Sequence, residues 1–300
     1  GAFLMRGAGC TWNDITDRDF DASVSRTALR PLPSGAVTLK QAYIFLGAQL
    51  LVGLVVWLVL PLDAKLVALL SVPLVGAYPF MKRVTWWPQA WLGLTFNWGV
   101  LVGAAVASTI SIPVIILYAG LILWTIAYDT IYALQDREDD ALIGVRSTAR
   151  LFGKRAVLIS FCFHLGAAAL IALAAAMNDA GRIGALTALL FLVHGIWQSV
   201  RLKSSREQAA LAVFKSNVWA GALVAFGFAL SAMAPEPKQS SLFADHEIVP
   251  EGPPSTMSLP FGFEMKHSRP SPADPGETWF ASAALRALKR EGVIGPGADE

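Results

Sequence analysis

Oxygen-bearing side chains near the start of the chain recur at helical spacing. Asn13, Asp17 and Asp21 follow one another every four residues, and Asp14 lies beside the first of them. Residues four apart lie on one face of a helix, so these three positions would stack one oxygen ligand per turn. Asp14 falls outside that column and is expected to support it or to face solvent. The pattern predicts a first column of metal or cation ligands.

A second column stands far downstream, in the stretch YDTIYALQDREDD. Its members are separated by three, four and four residues, which again places them near one helical face. They are Asp129, Tyr132, Asp136 and Asp140. Carboxylates beside apolar segments are costly unless they face a cavity or a counter-charge, so each column is a functional-site hypothesis. Two acidic columns together predict a doubly charged group between them.

Magnesium is the cation that suits these residues. It takes oxygen ligands and is commonly held by one or two carboxylates together with substrate phosphates and water. No His or Cys accompanies the acids, which argues against zinc or iron. We therefore predict Mg²⁺ as cofactor, with the ligands Asn13, Asp17, Asp21, Asp136 and Asp140. The plainer alternative is that these acids only cap helices and solvate a loop.

Basic residues lie between the two columns. Arg26 and Arg30 occur in RTALRPLPSG, and Lys82 and Arg83 occur in YPFMKR. Cations beside a carboxylate pair suit a metal-bridged diphosphate, because they donate charge-assisted hydrogen bonds to its oxygens. These four residues are predicted to bind a diphosphate. Each could alternatively be an anchor at the membrane surface.

The composition predicts a membrane protein. Of the 300 residues, 55% are apolar and 15% charged, outside the range of an ordinary soluble domain. A helical span needs about 20 mainly apolar residues. The predicted spans are 41–61, 65–81, 89–109, 112–134, 156–177, 183–200 and 212–233. We predict an all-α, polytopic transmembrane helical bundle. The formal charge of +2 favours no nucleic-acid partner.

The distribution of Lys and Arg predicts the topology. Cationic residues precede the first span and follow the second, fourth and sixth, whereas the opposite loops hold only Lys65 and Arg182. The positive-inside rule places the cation-rich loops, and with them both acidic columns, in the cytoplasm. Segment 1–40 is then inside and the tail outside. The opening run GAFLM is typical of the last turns of a membrane helix, which predicts that an amino-terminal span is missing.

The carboxyl-terminal part has a different composition. From Pro235 onward Pro, Ser, Glu and Asp dominate, so this segment offers too few apolar residues for a packed core. We predict a membrane domain over 1–234 and a mostly disordered tail over 235–300. Within that tail, 278–291 could form a short amphipathic helix.

Two stretches carry a family resemblance: GAGCTWNDITDRDFDASVSRTALRPLPSGAVT and YDTIYALQDREDDALIGVRSTARLFG. They resemble the two signature regions of the UbiA superfamily, nearest in pattern to its bacterial members that prenylate 4-hydroxybenzoate for ubiquinone. The similarity extends over residues 6–232, through YPFMKRVTWWPQAWLGLTFNWG and the late FKSN. It implies nine spans around a cavity open to lipid, with cytoplasmic loops above it. This chain departs from the pattern in lacking the first span, and in having Trp86 where the family has His.

The resemblance implies a reaction and a division of roles. The expected reaction moves a polyprenyl group from its diphosphate to the ring carbon ortho to the hydroxyl of 4-hydroxybenzoate. Asp17, Asp136, Asp129 and Tyr132 are the expected catalytic residues, and the last two would orient the acceptor or take its phenolic proton. Arg146 would pair with the acceptor carboxylate or serve only as a cytoplasmic anchor at the membrane surface. The expected cellular location is a bacterial inner membrane. The expected partners are membrane lipid, polyprenyl diphosphate and 4-hydroxybenzoate, with no obligatory protein partner.

Other interpretations stay open at this point. A sister prenyltransferase would keep the metal site and use haem, a menaquinone precursor or homogentisate as acceptor. A transporter could couple its acids to ion movement, but it would place them at mid-bilayer depth within an inverted repeat. The chain could also be a fragment that inserts without catalytic activity.

Overall fold

The computed structural model describes residues 1–22, 27–107, 110–204 and 206–233, and it is helical in every regular element of those ranges. The helices are α1 (Ala2–Thr16), α2 (Arg18–Asp21), α3 (Leu39–Leu58), α4 (Leu62–Val84), α5 (Pro88–Phe96), α6 (Trp98–Val106), α7 (Ile112–Tyr132), α8 (Arg137–Leu142), α9 (Thr148–Phe152), α10 (Ala156–Met177), α11 (Gly181–Ser204) and α12 (Arg206–Met233). A 3₁₀ turn, Gly153–Arg155, joins α9 to α10. The predicted all-α class is confirmed.

Six helical segments of the described chain are long and apolar enough to cross a bilayer. They are Leu39–Leu58, Leu62–Val84, Ile112–Tyr132, Thr148–Met177, Gly181–Leu202 and Ala209–Met233. Each corresponds to a predicted span. The chain is therefore an integral, multi-pass membrane protein. The predicted tail and its amphipathic helix lie outside the described residues.

One predicted span is not a single helix. The apolar run 89–109 contains α5 and α6, which are separated at Asn97. The Asn97 amide donates to the carbonyl of Gly93 at 2.8 Å and to the hydroxyl of Thr125 at 2.8 Å. An Asn side chain can compete in this way for backbone partners, and this ends a helix. The predicted span 89–109 is therefore built from two short helices.

The second half of the bundle packs around α7. Its main apolar cluster joins α7 to α10, α11 and α12 through residues such as Trp124, Ile171 and Phe191. Gly120 lets α10 approach closely, since a Cβ there would lie 3.1 Å from Leu170. The indole of Trp124 also donates to the amide oxygen of Asn217 at 2.9 Å. This packing fixes the position of the α7 end that carries the second acidic motif.

The helix α4 is held by tryptophan side chains from its neighbours. It contains Pro73 and Pro79, which remove backbone donors from the middle of a helix. Indole N–H groups from α1, α5 and α6 donate to its carbonyls at 2.8–3.1 Å: Trp12 to Gly76, Trp91 to Leu74 and Trp98 to Val67. These bonds tie α4 to three neighbouring helices. They also help to fix the position of the carboxyl-terminal end of α4, which carries Lys82 and Arg83.

Candidate active site

The first acidic motif spans a junction between two helices. Helix α1 ends at Thr16, Asp17 is the turn residue, and α2 follows. The predicted single helix is therefore interrupted, but the backbone N–H of Asp17 donates to Asn13 and that of Asp21 donates to Asp17, both at 2.8 Å. These bonds keep the four-residue helical repeat across the junction. The predicted column of three residues thus persists, with Asp17 and Asp21 buried.

Two cations from the end of α4 meet the middle of this column. Lys82 Nζ lies 3.3 Å from Asp17 Oδ2, and Arg83 Nη2 lies 3.4 Å from Asp17 Oδ1. Arg83 also donates to the carbonyl of Thr16 at 3.2 Å, and its guanidinium lies 4.5 Å from the ring centre of Phe20. The carboxylate of Asp17 is therefore balanced by charge from a helix more than sixty residues away in sequence.

Arg30 bridges the remaining two acids. Its Nη1 lies 3.0 Å from Asp14 Oδ1 and 2.8 Å from Asp21 Oδ2. Burial raises the pKa of Asp14 above its ordinary value, and the Arg30 guanidinium opposes that rise. Asp14 is thus tied to the column by a shared cation, as its predicted supporting role requires. Arg26 lies outside the described residues, and its role stays a prediction.

The second acidic motif changes from helix to turn within its length. Asp129 and Tyr132 lie in the last turn of α7, whereas Asp136 is the residue before α8 and Asp140 lies within it. The backbone N–H of Asp140 donates to Asp136 at 2.8 Å, which keeps these two acids one turn apart. The Tyr132 ring packs against Phe214 with centroids 4.4 Å apart. The second motif is consequently two short columns.

The end of α4 lies between the two motifs. Lys82 contacts Asp17 of the first motif, and its carbonyl accepts from the N–H of Arg146, in the segment that follows the second motif. Tyr78 lies one turn earlier on α4. The sequence interpretation missed Tyr78, although its spacing from Lys82 in YPFMK places both on one face. The tertiary structure thus brings both motifs to a single cationic helix end.

Arg146 contacts the same end of α4 through both its backbone and its side chain. Its backbone N–H donates to the carbonyl of Lys82 at 3.0 Å, and its guanidinium donates to the carbonyl of Val84 at 2.7 Å. The guanidinium also lies 5.8 Å from the ring centre of Trp86. Its predicted pairing with an acceptor carboxylate stays a prediction, and the side chain already has partners on α4.

Arg6 is another residue that the sequence interpretation missed. It lies on α1 seven residues before Asn13, with its guanidinium 5.0 Å from the ring centre of Phe96. Within the described part of the chain it makes no ion pair with an acid. A cation inside an apolar run was the signal available in the sequence, because such residues mark functional positions in membrane proteins.

The residues of the first motif fit a hard cation. Asn13 Oδ1 is buried and has no hydrogen-bond partner among the described residues, and it is aligned with two buried carboxylates. No three His, Cys, Asp or Glu side chains in the described ranges converge into a metal cluster on their own. Magnesium does not need such a cluster, because substrate phosphates and water complete its shell. An unsatisfied amide oxygen beside carboxylates is the donor set it prefers.

A helical membrane bundle with two acidic motifs at one cationic helix end is the architecture of an intramembrane prenyltransferase. The profile described as the UbiA prenyltransferase family matches residues 1–221, and the chain belongs to that family. Among curated relatives, the mitochondrial 4-hydroxybenzoate polyprenyltransferase of Arabidopsis thaliana is 43% identical over 234 residues. That match covers 77% of this chain and 57% of the relative's length. The mouse protein of the same name is 40% identical, with 82% and 66% covered.

Solved structures share the fold. A UbiA homologue from Aeropyrum pernix K1 superposes with a TM-score of 0.68 at 29% identity, covering 76% of this chain and 85% of that one. A homologue from Archaeoglobus fulgidus, solved with DMAPP and Mg²⁺ bound, gives a TM-score of 0.59 at 18% identity, covering 77% and 85%. This chain spans less than two thirds of the length of the first curated relatives.

Proposed function

We propose that this chain transfers a polyprenyl group from polyprenyl diphosphate to the ring carbon ortho to the hydroxyl of 4-hydroxybenzoate, a step of ubiquinone biosynthesis. The observation that carries the proposal is the position of Lys82, whose side chain contacts Asp17 of the first motif and whose carbonyl accepts from Arg146, just beyond the second motif. The names of the curated relatives favour this acceptor. The homologue solved with DMAPP and Mg²⁺ supports a prenyl diphosphate donor and a metal.

The first motif and its cations would hold the diphosphate. Asn13, Asp17 and Asp21, with Asp136 and Asp140, are the proposed ligands of Mg²⁺, which when bound neutralises charge that develops on the diphosphate. Lys82, Arg83, Arg30 and Arg26 would donate to diphosphate oxygens. The allylic carbon–oxygen bond breaks with its electron pair going to the diphosphate, so these fixed charges favour the transition state over the bound substrate.

Apolar walls are proposed to protect the allylic cation. Such a cation reacts with the first nucleophile it meets, so the site has to exclude water. The ring carbon of the acceptor forms the new carbon–carbon bond, and the ring then loses its proton. Asp129 and Tyr132 lie at the end of α7 where they would orient the phenol or accept its proton.

The acceptor carboxylate needs a cationic partner. Arg146 was predicted for this role, and Arg6 is a second candidate because it has no acidic partner in the described chain and lies two turns before Asn13. If Arg6 or Arg146 binds the acceptor carboxylate, its replacement by Gln should increase the KM for 4-hydroxybenzoate. The KM for the prenyl diphosphate should not change.

We further propose a bacterial inner membrane location with the site facing the cytoplasm, because the cationic loops cluster on the motif-bearing side. Cysteine labelling would test the orientation. A thiol introduced at Arg155, which is exposed beyond α9, should react with an impermeant maleimide only after the cells are opened. Labelling at this position in intact cells would place Arg155 outside the cytoplasm and contradict the proposed topology.

The test of function is transfer of a labelled prenyl group in membranes that contain this chain. Product should form with 4-hydroxybenzoate and Mg²⁺, and it should disappear with EDTA and in an Asp17→Asn, Asp136→Asn enzyme. Haem, a menaquinone precursor and homogentisate are offered in parallel. Transfer to one of these instead would make the chain a sister enzyme, and no transfer from well-inserted protein to any acceptor would contradict the proposal.

A further inference from the structure

A cluster of two arginines and one tryptophan lies where the second acidic motif meets α4. The Arg146 and Arg150 guanidinium groups lie 5.8 Å and 5.4 Å from the ring centre of Trp86. One indole thus receives two cation–π contacts, which are strongest with tryptophan. We call Trp86, Arg146 and Arg150 the arginine–tryptophan clasp.

Each arginine of the clasp holds a different backbone segment. Arg146 bonds through its N–H to the carbonyl of Lys82 and through its guanidinium to that of Val84, at the carboxyl end of α4. These carbonyls belong to the last turn of a helix, where a nearby cation is stabilising. Arg150 donates to the carbonyl of Asp140 at 3.2 Å. The clasp therefore connects α4 to the loop that carries the second motif.

The segment between the two arginines is itself anchored. Ser147 caps α9, because its side chain accepts from the N–H of Arg150. The N–H of Thr148 donates to the buried Gln89 side chain at 3.0 Å, and the Thr148 hydroxyl lies 2.6 Å from that of Thr130 on α7. These buried contacts leave the arginines little freedom relative to α5 and α7. The clasp is thus fixed at its base, so its contacts can impose a position on the loop.

We infer that Trp86, Arg146 and Arg150 are positioning residues that hold the Asp136–Asp140 turn at the cationic end of α4. This is the helix end whose Lys82 and Arg83 contact Asp17. This inference rests on the proposed function, because the turn matters only if both motifs share one substrate. Arg146 then acts through the backbone of α4. The binding of an acceptor would be a different role for the same side chain, and the two roles have different kinetic consequences.

Hydrogen exchange tests the clasp without metal or substrate. The protein in lipid nanodiscs is compared with Trp86→Leu, Arg146→Gln and Arg150→Gln, following amides 137–147 and, as an internal reference, amides 13–21. In each variant the first segment should exchange about tenfold faster, while the second is unchanged. Trp86→Phe retains a π face and should stay within about threefold of wild type. Unchanged exchange of 137–147 in Trp86→Leu overturns the inference.

Matched controls come from exposed residues of the same types. Arg155→Gln removes an arginine at the start of α10, and Trp219→Leu removes a tryptophan exposed on α12. Neither should change exchange of 137–147. If Arg155→Gln accelerates it as much as Arg146→Gln does, general surface charge is responsible and the clasp has no specific role.

Kinetics then separate positioning from acceptor binding. In Arg146→Gln, kcat should fall about tenfold with KM for 4-hydroxybenzoate unchanged, because the loss is in the alignment of the motifs. A selective rise in that KM would assign Arg146 to the acceptor instead. If wild-type protein transfers to no acceptor, the proposed function fails, while hydrogen exchange still decides whether the clasp holds the loop.

Discussion

The two acidic motifs are held in place by different interactions. In the first, side-chain cations contact the carboxylates directly: Lys82 and Arg83 contact Asp17, and Arg30 contacts Asp21, at 2.8–3.4 Å. At the second, the arginines of the clasp donate to backbone carbonyls. Ion pairs with named cations thus characterise the first motif, whereas the inferred clasp would act on the second through the backbone of its turn. Substitutions in the two regions should consequently have different signatures.

The largest effect is expected at Asp17. Asp17→Asn removes the charge that Lys82 and Arg83 balance, and one proposed metal ligand, so prenyl transfer should fall by about 10²–10³-fold. The thermal midpoint should fall as well, because two cations lose their carboxylate. Transfer assays and thermal unfolding in nanodiscs measure both. The matched control is Asp19→Asn, at an exposed acid two residues later in α2, which should stay within about twofold. Equal losses in Asp17→Asn and Asp19→Asn would show that the ion pairs of Asp17 have no specific role in prenyl transfer.

Lys82 should come next, since it pairs with Asp17 at the cationic end of α4. Lys82→Met is expected to lower kcat/KM for the prenyl diphosphate by about 10²-fold, because a charge-assisted contact is lost where negative charge develops. Lys82→Arg keeps the charge and should recover part of the loss. Steady-state kinetics with varied diphosphate provide the measurement. A Lys82→Met enzyme with wild-type kcat/KM would exclude the helix end from the reaction.

Arg30 tests whether charge balance alone supports the first motif. Arg30→Gln leaves Asp14 and Asp21 without their shared cation, and we expect a loss of about 10- to 30-fold in kcat/KM. Arg30→Lys keeps the charge and should recover part of the activity, because Arg30 makes both contacts through the single atom Nη1 and an ammonium also carries several donors. Full recovery by lysine would mean that charge, without geometry, is sufficient.

The smallest effect is expected from packing behind the second motif. Phe214→Leu removes the ring that contacts Tyr132 and should lower kcat by about three- to tenfold. The diphosphate KM should not change, since the first motif is untouched. The Phe226→Leu substitution, at an exposed position on the same helix, serves as control. A changed diphosphate KM in Phe214→Leu would show that the two motifs are not separable.

Local sequence signals predicted the acidic motifs because four-residue spacing survives small breaks in a helix. The breaks themselves were not predictable in this way. The turn at Asp17 and the end of α7 at Tyr132 occur where neighbouring segments offer better partners than the helix does. Asn97 is similar, because its partner Thr125 lies on another helix. A hydropathy window registers composition but contains no information about such partners.

The sequence by itself determined that this protein is helical and spans a membrane, since only helices satisfy their own backbone groups in long apolar runs. It also predicted which acids and cations form the candidate site, because charge beside such runs is costly unless it faces a cavity or a counter-charge. Only the tertiary structure decided which cation meets which acid. Asp17 pairs with Lys82 and Arg83, Arg30 joins Asp14 to Asp21, and Arg146 binds the α4 backbone. Those pairings depend on how distant helices pack, which no local pattern encodes.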